Sequence, residues 1–246
     1  MKREIIIIAV AAMFAGCSKE SKVEQISATP SSISMYHDEK SEIKMSHSPV
    51  DAPAPVYMYS SSDEYVATVD GDGKVTAQHV GECSIEILAA GKSTQCTVAV
   101  KPRSTLYTEP YLTFGGTKSA VKSYEKRALA SETSDLIMYK GENSNIRYVM
   151  YLFEGGKMES ACVLFASKTY CVEESNKFLS ERYDVRGSDG KFIMFKGKGR
   201  LIGLSYDNTL GLNALYIPAT DTKNFSTSRF DEMKQMLSSA FESINQ

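Results

Sequence analysis

Val66-Ala67-Thr68-Val69-Asp70-Gly71-Asp72-Gly73-Lys74-Val75-Thr76-Ala77 decides the fold of the N-terminal half. Two short runs with apolar side chains at every second position flank four residues of Asp and Gly. Alternation of period two marks a half-buried strand. Asp folds its side chain back onto the following backbone and Gly tolerates positive φ, so the four residues make a turn. The stretch therefore reads as a β-hairpin. Upstream, Ile33-Ser34-Met35-Tyr36 and Ile43-Lys44-Met45 alternate in the same way, and Val56 to Ser60 is a further strand after a loop of three prolines, Pro49 to Pro55. Downstream, Cys83-Ser84-Ile85-Glu86-Ile87 and Cys96-Thr97-Val98-Ala99-Val100 flank a turn at Ala90-Gly91-Lys92. Short strands punctuated at this spacing predict an all-β sandwich over residues 26–101.

The order of these motifs resembles the bacterial immunoglobulin-like domain, group 2. The residues that carry the resemblance are Tyr59-Ser60-Ser61-Ser62-Asp63, Val66 to Asp70, Gly73-Lys74-Val75-Thr76-Ala77, Gly81 to Ile85 and Thr97-Val98-Ala99-Val100. Tyr59 stands where that family usually has Trp, and the Pro49–Pro55 insertion is atypical. The resemblance implies a spacer or adhesion-type module, and its single copy points to a spacer.

The N-terminus reads as an address. Lys2 and Arg3 precede an uncharged run from Ile5 to Gly16, and Cys17 follows. About 12 apolar residues suit a signal h-region but fall short of the ~20 that span a bilayer. Phe14-Ala15-Gly16-Cys17 resembles the bacterial lipobox, with Phe14 at the usual Leu position. That resemblance implies residues 1–16 as a lipoprotein signal peptide, cleavage between Gly16 and Cys17, lipid attachment at Cys17, and a lipidated tether over 17–25. Ser18 after the cysteine resembles the sorting signal of outer-membrane lipoproteins, facing the periplasm or the cell surface.

Residues 102–105, from Pro102 through Arg103-Ser104, read as a hinge, and residues 106–246 change grammar. A helix capped by Gly116 or Thr117 precedes strands at 136–139, 146–153 and 157–165, with Gly155-Gly156 as a hairpin turn. A second helix over about 173–183 precedes strands at 192–195, 201–206 and 210–217. Leu136-Ile137-Met138-Tyr139-Lys140-Gly141 matches Phe192-Ile193-Met194-Phe195-Lys196-Gly197 at an offset of 56. The match predicts a duplicated unit of one helix and three strands. Phe230, Met233, Leu237, Phe241 and Ile244 step by three and four, so a terminal helix follows, with Ser228 as its cap. The expected fold class is multi-domain: an Ig-like sandwich, then an α+β domain of duplicated helix plus three-stranded antiparallel meander with a C-terminal helix. The Phe114-Gly115-Gly116-Thr117 opening resembles β-lactamase-inhibitor-protein-like and outer-membrane-assembly lipoprotein folds, which implies a protein-binding role.

Chemistry-bearing patterns are sparse. The three histidines, His37, His47 and His79, all lie in the Ig-like half, so a Ser-His or Cys-His pair in the second half is excluded. Asp70 and Asp72 are turn residues without the spacing of a calcium loop. Glu173 and Glu174 with Glu181 suit a helix start and end better than paired acid catalysis. Lys191, Lys196, Lys198 and Arg200 form the densest basic patch, and Tyr107, Tyr111, Tyr124, Tyr139, Tyr148 and Tyr151 cluster in sequence. A net charge of −2 gives no reason to expect nucleic acid. Cys83, Cys96, Cys162 and Cys171 permit two disulfides or four free thiols. The expectation is a non-catalytic envelope lipoprotein without cofactor or metal, held to the membrane by its lipid and binding another envelope protein through its C-terminal domain. The alternative is a surface glycan-binding or adhesion lipoprotein that uses exposed tyrosines.

Overall fold

The computed structural model describes residues 21–219 and 227–244. Gly16 and Cys17, with the expected signal peptide, its cleavage point and the lipid site, lie outside the described residues.

The N-terminal domain contains β1 (Gln25–Thr29), β2 (Ser32–Tyr36), β3 (Lys40–Glu42), β4 (Lys44–Ser48), β5 (Met58–Ser61), β6 (Ala67–Val69), β7 (Lys74–Ala77), β8 (Gly81–Ala89) and β9 (Lys92–Lys101). A four-stranded sheet in the order β2-β9-β8-β5 faces a three-stranded sheet, β3-β7-β6, while β1 pairs with β4. The alternation read from sequence puts Ile33, Met35, Val75, Ala77, Ile85, Ile87, Val98 and Val100 into one core between the sheets. The β6–β7 hairpin turns as expected: Asp70 Oδ1 accepts the amides of Asp72 (3.0 Å) and Lys74 (2.9 Å), and Gly73 has φ +81°.

The second domain contains α1 (Lys118–Tyr124), β10 (Leu129–Glu132), β11 (Leu136–Lys140), β12 (Ile146–Glu154), β13 (Lys157–Phe165), α2 (Thr169–Ser180), β14 (Asp184–Ser188), β15 (Phe192–Gly197), β16 (Arg200–Asp207), β17 (Gly211–Pro218) and α3 (Thr227–Ile244). It is mostly β. The eight strands form one antiparallel sheet in the order β10-β11-β12-β13-β17-β16-β15-β14. On one face Val121 of α1, Phe178 and Leu179 of α2, and Leu106 and Tyr107 of the linker pack over Tyr151, Val163 and Tyr216. On the other face Phe230, Met233, Leu237 and Phe241 of α3 pack over Leu136, Cys162 and Leu215. Central strands covered on both faces lose the alternation of a one-sided sheet. The run Met150–Phe153 is buried throughout for this reason.

The expected three-stranded meanders are four-stranded, because β10 and β14 add an edge strand to each unit. Their sequences, LASE and DVRGS, carry almost no apolar alternation, and β14 is exposed at all five positions. Neither strand buries a face, so hydrophobic periodicity could not reveal it. With these strands included, the element order of one helix and four strands occurs twice. The offset of 56 holds beyond the six-residue match. Leu129 pairs with Tyr139 and Val185 with Phe195, and both ladders bulge at the same place, between Leu129/Ser131 and between Val185/Gly187. Past a shorter β15–β16 turn the offset falls to 54.

Other boundaries differ from expectation. Thr117 caps α1 through its Oγ1 (3.3 Å from the Ala120 amide), but the helix ends at Tyr124, so Ala128 is not on it. The second helix starts four residues and ends three residues earlier than expected, over Thr169–Ser180. Ser228 lies inside α3 rather than before it. The four cysteines in the described residues are free. Cys162 belongs to the α3 side of the sheet and Cys171 to the α2 side, so the sheet itself separates them.

Gly141 marks one point where the backbone leaves no space. A Cβ there would lie 2.0 Å from the Ile146 carbonyl oxygen, and backbone cannot step aside as a side chain can. Gly141→Ala is expected to cost ~2 kcal/mol or more, read as a lowered urea midpoint. A midpoint equal to that of the parent chain would contradict this close approach.

Candidate functional site

The duplicated units each end their helix in a buried glutamate, and the two glutamates meet different fates. Glu125 follows α1 and Glu181 follows α2. Both are C-cap residues 56 apart, and their side chains are only 1% and 4% exposed.

Around Glu181 the site is filled by the Ig-like domain and the linker. Glu181 Oε2 accepts the amides of Arg103 (2.9 Å) and Ser104 (3.1 Å), and the Glu181 carbonyl accepts the Val80 amide (2.8 Å). Tyr65 donates its hydroxyl to the Arg182 carbonyl (2.7 Å) and stacks on His79 at 4.0 Å. His79 Nε2 lies 3.5 Å from Asp184 Oδ1. Lys198 is paired with Asp63 and sits 5.2 Å from the centre of the Tyr65 ring. The Lys198 hydrogen bond, helped by the Tyr65 amide, holds the Asp63 carboxyl below its ordinary range. Residues 102–105, expected as a hinge, are therefore tied down: Ser104 is buried, and Arg103 also reaches Glu39 (2.7 Å).

Around Glu125 the equivalent site is open. It is a groove of about 650 Å³ between the end of α1 and the β11–β12 turn. Its floor is a charge network centred on Arg127, whose side chain is 5% exposed. Arg127 Nη1 donates to both Glu125 oxygens (2.7 and 2.8 Å), and Nε donates to Glu142 (2.8 Å). Nη2 reaches the Thr108 carbonyl and Glu142. Tyr151 donates its hydroxyl to Glu125, and Glu142 also accepts the Thr108 amide (2.7 Å). Burial alone would raise the Glu142 carboxyl, but the bonds from Arg127 and Thr108 outweigh it and hold it below its usual range. Burial and the adjacent Glu125 charge push the Tyr151 phenol up, so it stays protonated. The rim carries Tyr124, 44% exposed, with Lys126 and Lys140. Among the described residues neither lysine has a carboxylate partner.

The sequence candidates fall apart in space. Lys191 pairs with Asp231 and Lys198 with Asp63, so the expected basic patch is partly neutralised. Tyr107, Tyr139 and Tyr151 are buried, and Tyr111 meets Tyr124 at 58°, so these rings make no flat platform. Glu181 is a clamp, while Glu173 and Glu174 lie within α2, and Glu174 contributes its carbonyl to the Ser104 hydroxyl (3.4 Å). Asp70 is consumed by its own turn, and no group of three or more metal-ligating side chains occurs among the described residues. His37 is half-buried against the Gln78 carbonyl, and His47 contacts the Ala52 carbonyl at 3.1 Å. Sequence reasoning missed the Arg127 network and the joint. The only available signal was the offset of 56, which places Glu125 over Glu181.

Comparison with known proteins agrees with the first domain. Residues 22–100 match the model of the bacterial Ig-like domain (group 2). No curated protein matches the chain. Among solved structures, domains 4–9 of the surface layer protein SbsC are similar at 13% identity over 83% of this chain, with a TM-score of 0.30. The chain spans 28% of that structure. Domains 5–6 of the S-layer protein SbsC are similar at 12% identity over 83% of this chain and 87% of that one, with a TM-score of 0.29. An intimin mutant of EHEC O157:H7 is similar at 13% identity over 55% of this chain and 90% of that one, with a TM-score of 0.25. By the family match, residues 22–100 are a bacterial Ig-like domain of group 2, followed by a mostly β domain whose described residues form eight strands and three helices.

Proposed function

We propose that this chain is a non-catalytic cell-envelope lipoprotein, anchored at Cys17 in the outer membrane, whose Ig-like domain is a spacer and whose C-terminal domain binds another envelope protein. The observation that carries the reading is the placement of an open groove on the domain farthest from the anchor. Glu39 sits at the joint, and β3 and β4, separated by Ile43 alone, run from there to Ser48, which pairs with Gln25. At about 3.3 Å per residue, the chain enters the domain at most about 30 Å from the joint. The clamped linker turns that distance into a fixed stand-off. The charged groups on the groove floor hold one another, which suits recognition better than proton transfer. A second reading, surface glycan binding, has the exposed Tyr124 ring on the groove rim in its favour.

The anchor is tested by Cys17→Ser. Metabolic labelling with an alkyne fatty acid should mark the parent chain and not the variant, and the variant should move to the soluble fraction. Persistent labelling of the variant would exclude Cys17 as the lipid site. The partner reading is tested by photo-crosslinkers placed in cells at Lys140, on the groove rim, and at Tyr170, an exposed ring on α2 outside the groove. Absence of protein adducts at both positions would count against it.

A further inference from the structure

The two units of the C-terminal domain allow the molecule to report on its own ligand preference. Tyr124, Glu125, Lys126, Lys140, Gly141 and Glu142 around the open groove correspond, at the offset of 56, to Ser180, Glu181, Arg182, Lys196, Gly197 and Lys198. The second set is where the Ig-like domain docks. Its backbone and side-chain contacts with Glu181, Arg182, Asp184 and Lys198 all fall at or beside these positions. The docking element is the loop from Ser61 to Val66, which presents an acid and an aromatic ring two residues apart. Asp63 meets Lys198, and the Tyr65 hydroxyl lies beside Gly197, 3.2 Å from where a Cβ would stand, with the Tyr183 ring nearer still at 2.5 Å. The loop is held in this shape by its own bonds, Tyr65 N–H to Asp63 Oδ1 (3.1 Å) and Asp63 N–H to Ser61 Oγ (3.2 Å).

We infer that the open groove at Glu125 is a second dock of the same kind, which takes an Asp-x-Tyr loop of a partner protein. This rests on the protein-binding reading above and names the chemistry of the partner. The groove repeats the buried C-cap glutamate of the filled dock at the offset of 56 and carries two lysines on its rim. Its charge supports the same sign of ligand. Arg127 is neutralised by Glu125 and Glu142, while Lys126 and Lys140 on the rim have no carboxylate partner among the described residues. Glu142 replaces Lys198, so the incoming carboxylate meets Lys126 and Lys140 instead. An exposed Tyr124 offers the incoming ring a stacking surface that Ser180 does not.

The test is a titration of the full chain, in detergent, with a fluorescent cyclic peptide carrying residues 60–67 of this chain. Binding should appear as rising anisotropy and should weaken at least tenfold in Lys126→Glu/Lys140→Glu. It should weaken similarly when the peptide's Asp is replaced by Asn and its Tyr by Ala. Lys126→Gln/Lys140→Gln, which removes charge without reversing it, should give an intermediate loss, and Lys177→Glu on α2 should leave binding unchanged. No binding at millimolar peptide, or binding indifferent to the lysine substitutions, overturns the inference. So does saturable binding of an oligogalacturonate, a uronic-acid chain, in place of the peptide. Crosslinked protein adducts at Tyr170 alone would keep the partner reading and refute this dock, whereas adducts at neither position would refute both.

Discussion

Arg127→Ala is expected to lower the stability of the C-terminal domain by ~3–5 kcal/mol, the usual cost of removing one partner from a buried ion pair. The substitution strands two carboxylates at once. Glu125 would keep only the Tyr151 hydroxyl, and Glu142 only the Thr108 amide. It would also leave the Thr108 carbonyl without its Arg127 partner. Arg127→Lys keeps the charge but not the planar fork that serves two carboxylates together, so an intermediate loss is expected. Urea denaturation measures both variants, and a loss below about 1 kcal/mol for Arg127→Ala would contradict a buried network, since only exposed pairs are that weak. Acid should act in the same direction. The Glu142 carboxyl is held below its ordinary value, so its contribution is present above the unfolded value of about 4.3 and is lost as pH falls further. Stability of Arg127→Ala should therefore depend less on pH below about 4 than stability of the parent.

Glu181→Ala is expected to uncouple the two domains. The carboxylate accepts both the Arg103 and Ser104 amides, and Ser104 is buried. An unmet buried amide costs ~1–3 kcal/mol, so the joint should lose at least that much at Ser104. The variant should show separate unfolding transitions for the two domains and new proteolytic cutting near Arg103. Retention of one transition and an uncut linker would mean that Asp63, Tyr65 and Val80 hold the joint without Glu181. Glu181→Gln, which still offers an oxygen to the amides, should fall between the two.

Much of the architecture was legible because burial writes a period into sequence. The Ig-like strands bury one face, so Ile33/Met35, Val75/Ala77 and Ile85/Ile87 alternate and can be read. The α3 stripe from Phe230 to Phe241 is legible for the same reason at helical spacing. The edge strands β10 and β14 were not legible, because a strand that buries neither face has no pattern to leave. The candidate site was hidden for a different reason. Glu125, Arg127 and Glu142 look like ordinary surface charges in a linear sequence, and only the fold brings them together with Tyr151 and Thr108 out of water.

The division is clearest at Glu125 and Glu181. The sequence by itself determined that two units repeat at an offset of 56, since local pattern and hairpin turns recur with the side chains that make them. Only the tertiary structure decided that one copy is closed by Asp63 and Tyr65 while the other stays open. That choice depends on where the Ig-like domain lands, through contacts between residues more than a hundred positions apart, such as Tyr65 with Arg182 and Asp63 with Lys198. No local period encodes such contacts, because they join side chains of two different domains far apart in the chain.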